Sequence, residues 1–200
     1  MTIVAAPGAV SANEATPVSK PTRRVQLLNF VLFQSAWFAA VLTAARGAPV
    51  WGTVCIGVVV GWHLAVSQRP VAEAQLIGLV CLIGFVIESI SVRQGNIVYA
   101  GGQPYSWMAP YWIVGLWGLL AMTLNVTMRW LKGRWLLAGL LGAIVGPASF
   151  ASGVRLGAAR FTDTSSALLT LAMVWALAMP LLVWLSNRFD GVSVIKNQKG

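Results

Sequence analysis

Six long apolar stretches, separated by short polar turns, organise this chain. They run from about Val25 to Ala45, Val50 to Val66, Val71 to Val92, Pro110 to Met128, Trp135 to Leu156 and Ser166 to Ser186. Each is close to the roughly 20 residues that carry a helix across about 30 Å of hydrocarbon. Hydrocarbon offers no partner for a free backbone amide, so the element that crosses it must satisfy its own hydrogen bonds. The pattern therefore predicts an all-α protein, a polytopic transmembrane bundle of six spans.

Charge orients the bundle. The segments on the side of the termini carry Lys20, Arg23, Arg24, Arg69, Arg129, Lys132, Arg134, Arg188, Lys196 and Lys199, whereas the opposite loops carry Arg46, Arg93, Arg155 and Arg160. Positive residues collect on the cytoplasmic side of membrane proteins, so both termini are expected there. The expected organisation is a disordered cytoplasmic tail over residues 1–24, a membrane domain over 25–186 and a second cytoplasmic tail over 187–200. A cleaved signal peptide fits poorly, because the N-terminus lacks a basic start and Pro7 interrupts its short apolar run. Tryptophans mark the same boundaries: Trp51, Trp107 and Trp112 at one interface, and Trp62, Trp130, Trp135 and Trp184 at the other.

Composition supports this reading. Hydrophobic residues make up 58% of the chain and charged residues 10%, against roughly 25% charged in soluble domains. The net charge of +9 is explained by basic residues at the span ends, which removes the case for nucleic acid as a partner. Cys55 and Cys81 lie inside spans, without CxxC spacing, and serve as small apolar residues.

The fifth span carries small residues at Gly139, Gly142, Gly146, Ser149, Gly153 and Gly157, spaced to share one face. Helices in lipid associate through close packing, so this stripe is expected to be the central seam. Pro147 should bend that helix near the bilayer midplane. Gly57 and Gly61 form a smaller GxxxG contact face. The longest connection, Arg93 to Ala109, contains Gly101-Gly102 between β-prone residues and suggests a small hairpin or re-entrant turn capping a cavity, or an ordinary connector resting on the headgroups.

Ionisable groups at membrane depth are costly and are the first candidates for function. One layer, on the side of the termini, holds Asn29, His63, Glu73, Asn125 and Arg129. His63 and Glu73 are equidistant from the Ser67–Pro70 turn, so antiparallel helices place them at one height, suited to proton transfer or to an ion pair that holds the hairpin. Asn125 and Arg129 are four residues apart on one face. The opposite layer holds Glu88, Arg93, Asn96, Tyr99, Arg155 and Arg160. Arg155 is the expected partner of Glu88, either as a folding clamp or as part of a binding centre framed by the Tyr99 loop. One histidine and no clustered ligands leave no metal site, and no phosphate-cradling loop or other cofactor motif is present. Ser149 and His63 fall on opposite sides of the midplane, so they form no hydrolase pair.

Three segments carry a resemblance: NFVLFQSAWFAAVLTAA from Asn29, SWMAPYWIVGLWGLLAMTLNVTMRWL from Ser106 and LLGAIVGPASFASGVRLGA from Leu140. The chain resembles, from about Val25 to Ser186, a family of bacterial, mostly proteobacterial, inner-membrane proteins known only as a domain of unknown function. The family pattern has Tyr where this chain has Phe150. The resemblance implies the bacterial inner membrane and an association with lipid-modifying enzymes of the cyclopropane-synthase kind, but assigns no catalytic residue. The leading expectation is a role in lipid or isoprenoid metabolism, as enzyme or accessory. The alternatives are a small transporter built around the Gly146-Pro147 bend, for which no three-plus-three repeat speaks, and a scaffold. Membrane lipids are the expected partners, with a second membrane protein or another copy of the chain docking through the glycine seams.

Overall fold

The computed structural model describes residues 18–19 and 21–195. Among them are six helices: α1 (Arg23–Ala45), α2 (Pro49–Val66), α3 (Pro70–Gln94), α4 (Tyr111–Leu124), α5 (Trp135–Arg155) and α6 (Thr164–Arg188). Five are long and apolar enough to cross a membrane, and α4 is shorter at 14 residues. The protein is an all-α, multi-pass membrane bundle. The turns follow from local chemistry. Pro49 and Pro70 open α2 and α3 where a missing amide costs nothing, and Gly95 closes α3 in the left-handed conformation at φ 72°.

The spans end within about two residues of where the hydropathy puts them, except α4. That helix stops at Leu124 and spans about 21 Å. The chain continues through turns and a short 3-10 helix (Arg129–Leu131). Helix α4 is the interior helix, packed against α1, α2, α3 and α6. Irregular backbone is tolerated at depth where protein rather than lipid surrounds it, and Leu124, Asn125 and Val126 are all buried.

Close approach builds the contacts. An added Cβ at Gly52 would lie 2.4 Å from Ala40 Cα, and one at Gly84 would lie 2.2 Å from the Trp117 ring. On α5, Gly139, Gly142 and Gly146 meet Ala176, Trp175, Met179 and Pro180 of α6. The expected seam therefore forms, but only over its first half, because Gly153 faces open space. Helix α5 continues through Pro147 from Trp135 to Arg155. The GxxxG of α2 is a correction: among the described residues no atom lies within 4 Å of an added Cβ at Gly57 or Gly61, so the pair faces no neighbouring helix there. Helix α2 turns Gly52, Ile56, Val59 and His63 inward, which leaves that glycine pair on the outer surface.

Two short ladders close the ends. Strand β2 (Ile97–Tyr99) pairs antiparallel with β3 (Ala159–Phe161), Tyr99 opposite Ala159. The Gly101-Gly102 hairpin is therefore not formed, since the β-prone residues before it bond to the α5–α6 connection instead. On the other side β1 (Val18–Ser19) pairs with β4 (Val194–Ile195), which puts both ends of the described chain on one face, the terminal face. The expectation of disorder over residues 1–24 lies mostly outside the described residues. Trp112, assigned to the interfacial belt, is instead buried and donates to the Gly101 carbonyl at 2.9 Å.

Gly142→Ala is expected to destabilise the bundle by about 1–3 kcal/mol, because its Cβ would strike the α6 backbone. Gly57→Ala is expected to be neutral or to stabilise by up to about 1 kcal/mol. Thermal unfolding of both variants in detergent measures the contrast.

Candidate functional site

Glu73 is the junction of the terminal face. It is fully buried on the first turn of α3. Its Oε2 lies 2.9 Å from His63 Nε2, which bears out the height match inferred from the turn. Its Oε1 accepts from Asn125 Nδ2 at 2.7 Å and from the Gly191 amide at 2.8 Å. One carboxylate thus joins α2, α3, the end of α4 and the chain beyond α6. Gly191 is required by this approach, since an added Cβ would lie 2.6 Å from Glu73 Cγ and 2.4 Å from the Arg69 carbonyl.

A second carboxylate extends the junction. Lys132 Nζ donates to Asn125 Oδ1 at 2.6 Å and to Asp190 Oδ2 at 2.9 Å. Arg129 Nη1 lies 2.7 Å from the same Asp190 oxygen, donates to the Asn125 carbonyl at 3.3 Å, and reaches Ser193 Oγ through Nη2. The four-residue spacing of Asn125 and Arg129 survives as a contact, although that stretch is not α-helical. Burial alone would raise the Asp190 carboxyl, but the hydrogen bond and charge of Lys132, the Ser193 hydroxyl and Arg129 outweigh it and hold it at about 2. Burial pushes the Lys132 ammonium below its ordinary value, with Asp190 opposing.

Lys132 and Asp190 carry no signal as site residues in the sequence; within the expected terminal tail, Phe189–Ser193 folds back over the junction and brings Asp190 to Lys132. Asp190 is one of only five acidic residues in the chain, and topology alone puts it on the side of Lys132.

The opposite layer is built differently. Glu88 is buried, accepting from Tyr99 Oη at 2.6 Å and Trp117 Nε1 at 3.1 Å. The expected Glu88–Arg155 pair is absent, and Arg155 is exposed at the end of α5. Two neutral donors satisfy the carboxylate without bringing a guanidinium out of water, which would carry its own desolvation cost. The β2–β3 ladder sets Tyr99 over Glu88. Burial, followed by the charge and hydrogen bond of Glu88, pushes the Tyr99 phenol well above 10.

Tyr99 and Trp117 separate Glu88 from a cavity of about 300 Å³. Phe33, Trp37 and Val41 of α1 line one side, and Gly146, Ser149 and Gly153 of α5 the other. The cavity runs from Met128 and Trp130 on the terminal side to Tyr99 and Ala158 on the opposite side. Among the described residues, Tyr99 is the only ionisable side chain in its wall. Trp175 stacks on Trp117 with ring centres 4.7 Å apart. A second cavity, of about 260 Å³, opens beside His63 and Asn29 on the terminal face. No cluster of metal-ligating side chains occurs among the described residues.

These features define a multi-pass membrane protein with two buried carboxylate centres, each beside its own cavity. The family described as Protein of unknown function (DUF2878) matches residues 26–181, and the chain belongs to it. No curated protein and no solved structure matches the chain.

The terminal junction should be acid-sensitive with a definite sign. Asp190 has its carboxyl depressed from 3.8 to about 2, so its contribution, about 2 kcal/mol, is fully present above pH 4 and is lost as pH falls toward 2. Asp190→Asn should remove it at every pH and leave Lys132 and Arg129 without their shared counter-charge. Hydrogen exchange of residues 189–193 reports this as faster exchange in the variant at pH 7.

Proposed function

We propose that this chain is a bacterial inner-membrane protein, with both termini in the cytoplasm, that holds the apolar body of a membrane lipid or isoprenoid between α1 and α5 for lipid metabolism. The observation that carries the reading is the 300 Å³ cavity, aromatic and aliphatic in its walls and elongated along the spans. Ligand pockets start at about that size and are mostly apolar with few polar groups. Helix α5 packs chiefly on α6, so the cavity lies where one helix pair meets the four-helix body. A charged group entering it would meet no counter-charge, so the part of the ligand held there is uncharged.

A second reading, chemistry on the bound molecule, draws on Tyr99. Tyr99 lines the cavity and its hydroxyl is bonded to Glu88, so it passes a proton between carboxylate and ligand only where a ligand atom reaches that same phenol oxygen. The transporter reading draws less support, because α5 runs unbroken through Gly146-Pro147.

Gly153→Leu discriminates well, because Gly153 lines the cavity and its Cβ direction is empty. The side chain should fill the void without disturbing the α5–α6 seam. Mass spectrometry of lipids co-purified with the wild type is expected to show one enriched lipid class, reduced at least fivefold in the variant at unchanged thermal stability. Bulk-membrane lipid composition in the wild type would refute the reading. If Tyr99 and Glu88 perform chemistry, Glu88→Gln should keep the lipid bound but change the cellular lipid profile.

A further inference from the structure

The second cavity has a chemistry the first lacks. Asn29, Trp62, His63, Ser67 and Gln68 line it, with Thr22 and Val25 at the start of α1. His63 is 3% exposed. Its Nε2 is engaged by Glu73, and among the described residues nothing bonds its Nδ1. In the neutral ring, a carboxylate on one nitrogen makes that nitrogen the donor and leaves the other as a bare acceptor. Glu73 is itself pinned by Asn125 and Gly191, so the imidazole cannot turn without breaking the junction.

The other lining groups are mostly spent. Asn29 donates to the Met122 carbonyl and accepts from Thr127 Oγ1, and Ser67 Oγ donates to the His63 carbonyl. Among the described residues, no acidic side chain lines the wall. Arg23 and Arg24 directly follow Thr22, Arg69 follows Gln68, and all three are exposed. The cavity therefore combines the His63 ring in an otherwise uncharged wall with three exposed arginines that neighbour its lining residues in sequence.

We propose that this cavity binds a phosphate-linked polyol, with a ligand hydroxyl donating to His63 Nδ1 and the phosphate held at the arginine rim. An ammonium headgroup is disfavoured by the same arginines. A phosphate without a hydroxyl reaches the rim but leaves Nδ1 bare. The polyol phosphate can arrive as an anionic lipid headgroup or as a free soluble ester, and both present the same atoms. The site is separate from the cleft between α1 and α5 and does not depend on it.

The chain contains a single histidine, so nitrogen-15 NMR of histidine-labelled, tag-free full-length protein in phosphatidylcholine nanodiscs reads this one ring. At rest Nε2 should be protonated and Nδ1 bare. Phosphatidylglycerol should move the Nδ1 resonance at a concentration about five- to tenfold below phosphatidic acid, the value of one net hydrogen bond. An equal response to soluble glycerol phosphate supports the site and assigns the free ester as its source; a response to phosphatidylglycerol alone assigns the lipid. The Gly153→Leu variant, blocked in the cleft, should respond as the wild type does. A proton on Nδ1 at rest, no response to any of the three, or equal responses to phosphatidic acid and phosphatidylglycerol would overturn the proposal.

Discussion

Polar groups placed at membrane depth must find partners inside the protein, and Glu73 is where this chain concentrates that demand. A lone carboxylate in hydrocarbon is untenable. With His63, Asn125 and Gly191 converging on it, the same group becomes a fastener for four separated parts of the sequence. The early end of α4 lies at this junction: Asn125, the residue that caps the helix, donates its carboxamide to Glu73 and accepts from Lys132 through its side-chain oxygen and from Arg129 through its carbonyl. The loss of regular helix is tolerable because neighbouring helices, not lipid, surround that turn.

Glu88 solves the same problem with weaker donors and a different consequence. Tyr99 and Trp117 cover it and at the same time form part of the cavity wall. One carboxylate therefore locks the terminal face, and the other stands one side chain away from empty space. This division of labour fits the proposed reading, in which the protein stays assembled at one end and receives a molecule between α1 and α5. Small residues serve both purposes: Gly142 and Gly146 bring α6 close, and Gly153, on the same helix, leaves room.

Much of this was legible from residue order. Hydropathy located the spans because a bilayer imposes one length on all of them, and the His63–Glu73 contact followed from counting back from a tight turn. What failed required knowledge of which helices are neighbours. Arg155 was matched to Glu88 by depth alone, yet rotation about α5 leaves it exposed, and Tyr99 arrives through a ladder between two connections far apart in sequence. The glycine pair at Gly57 and Gly61 has contact-face spacing but no facing helix among the described residues. Asp190 was hidden because a charged residue beyond the last span looks like tail until the chain is seen to fold back on Lys132.

The account stands or falls on whether the space between α1 and α5 is filled by lipid in the membrane. The direct measurement places a photoactivatable benzoylphenylalanine at Phe150, which lines that space, irradiates intact membranes, and identifies what becomes attached. The proposed function predicts a covalent adduct with a lipid or isoprenoid as the main product. A cross-link within the chain from position 150 to Phe33, Trp37 or Val41 of α1, with no lipid adduct, would mean that the two helices close on each other and that no such compartment exists.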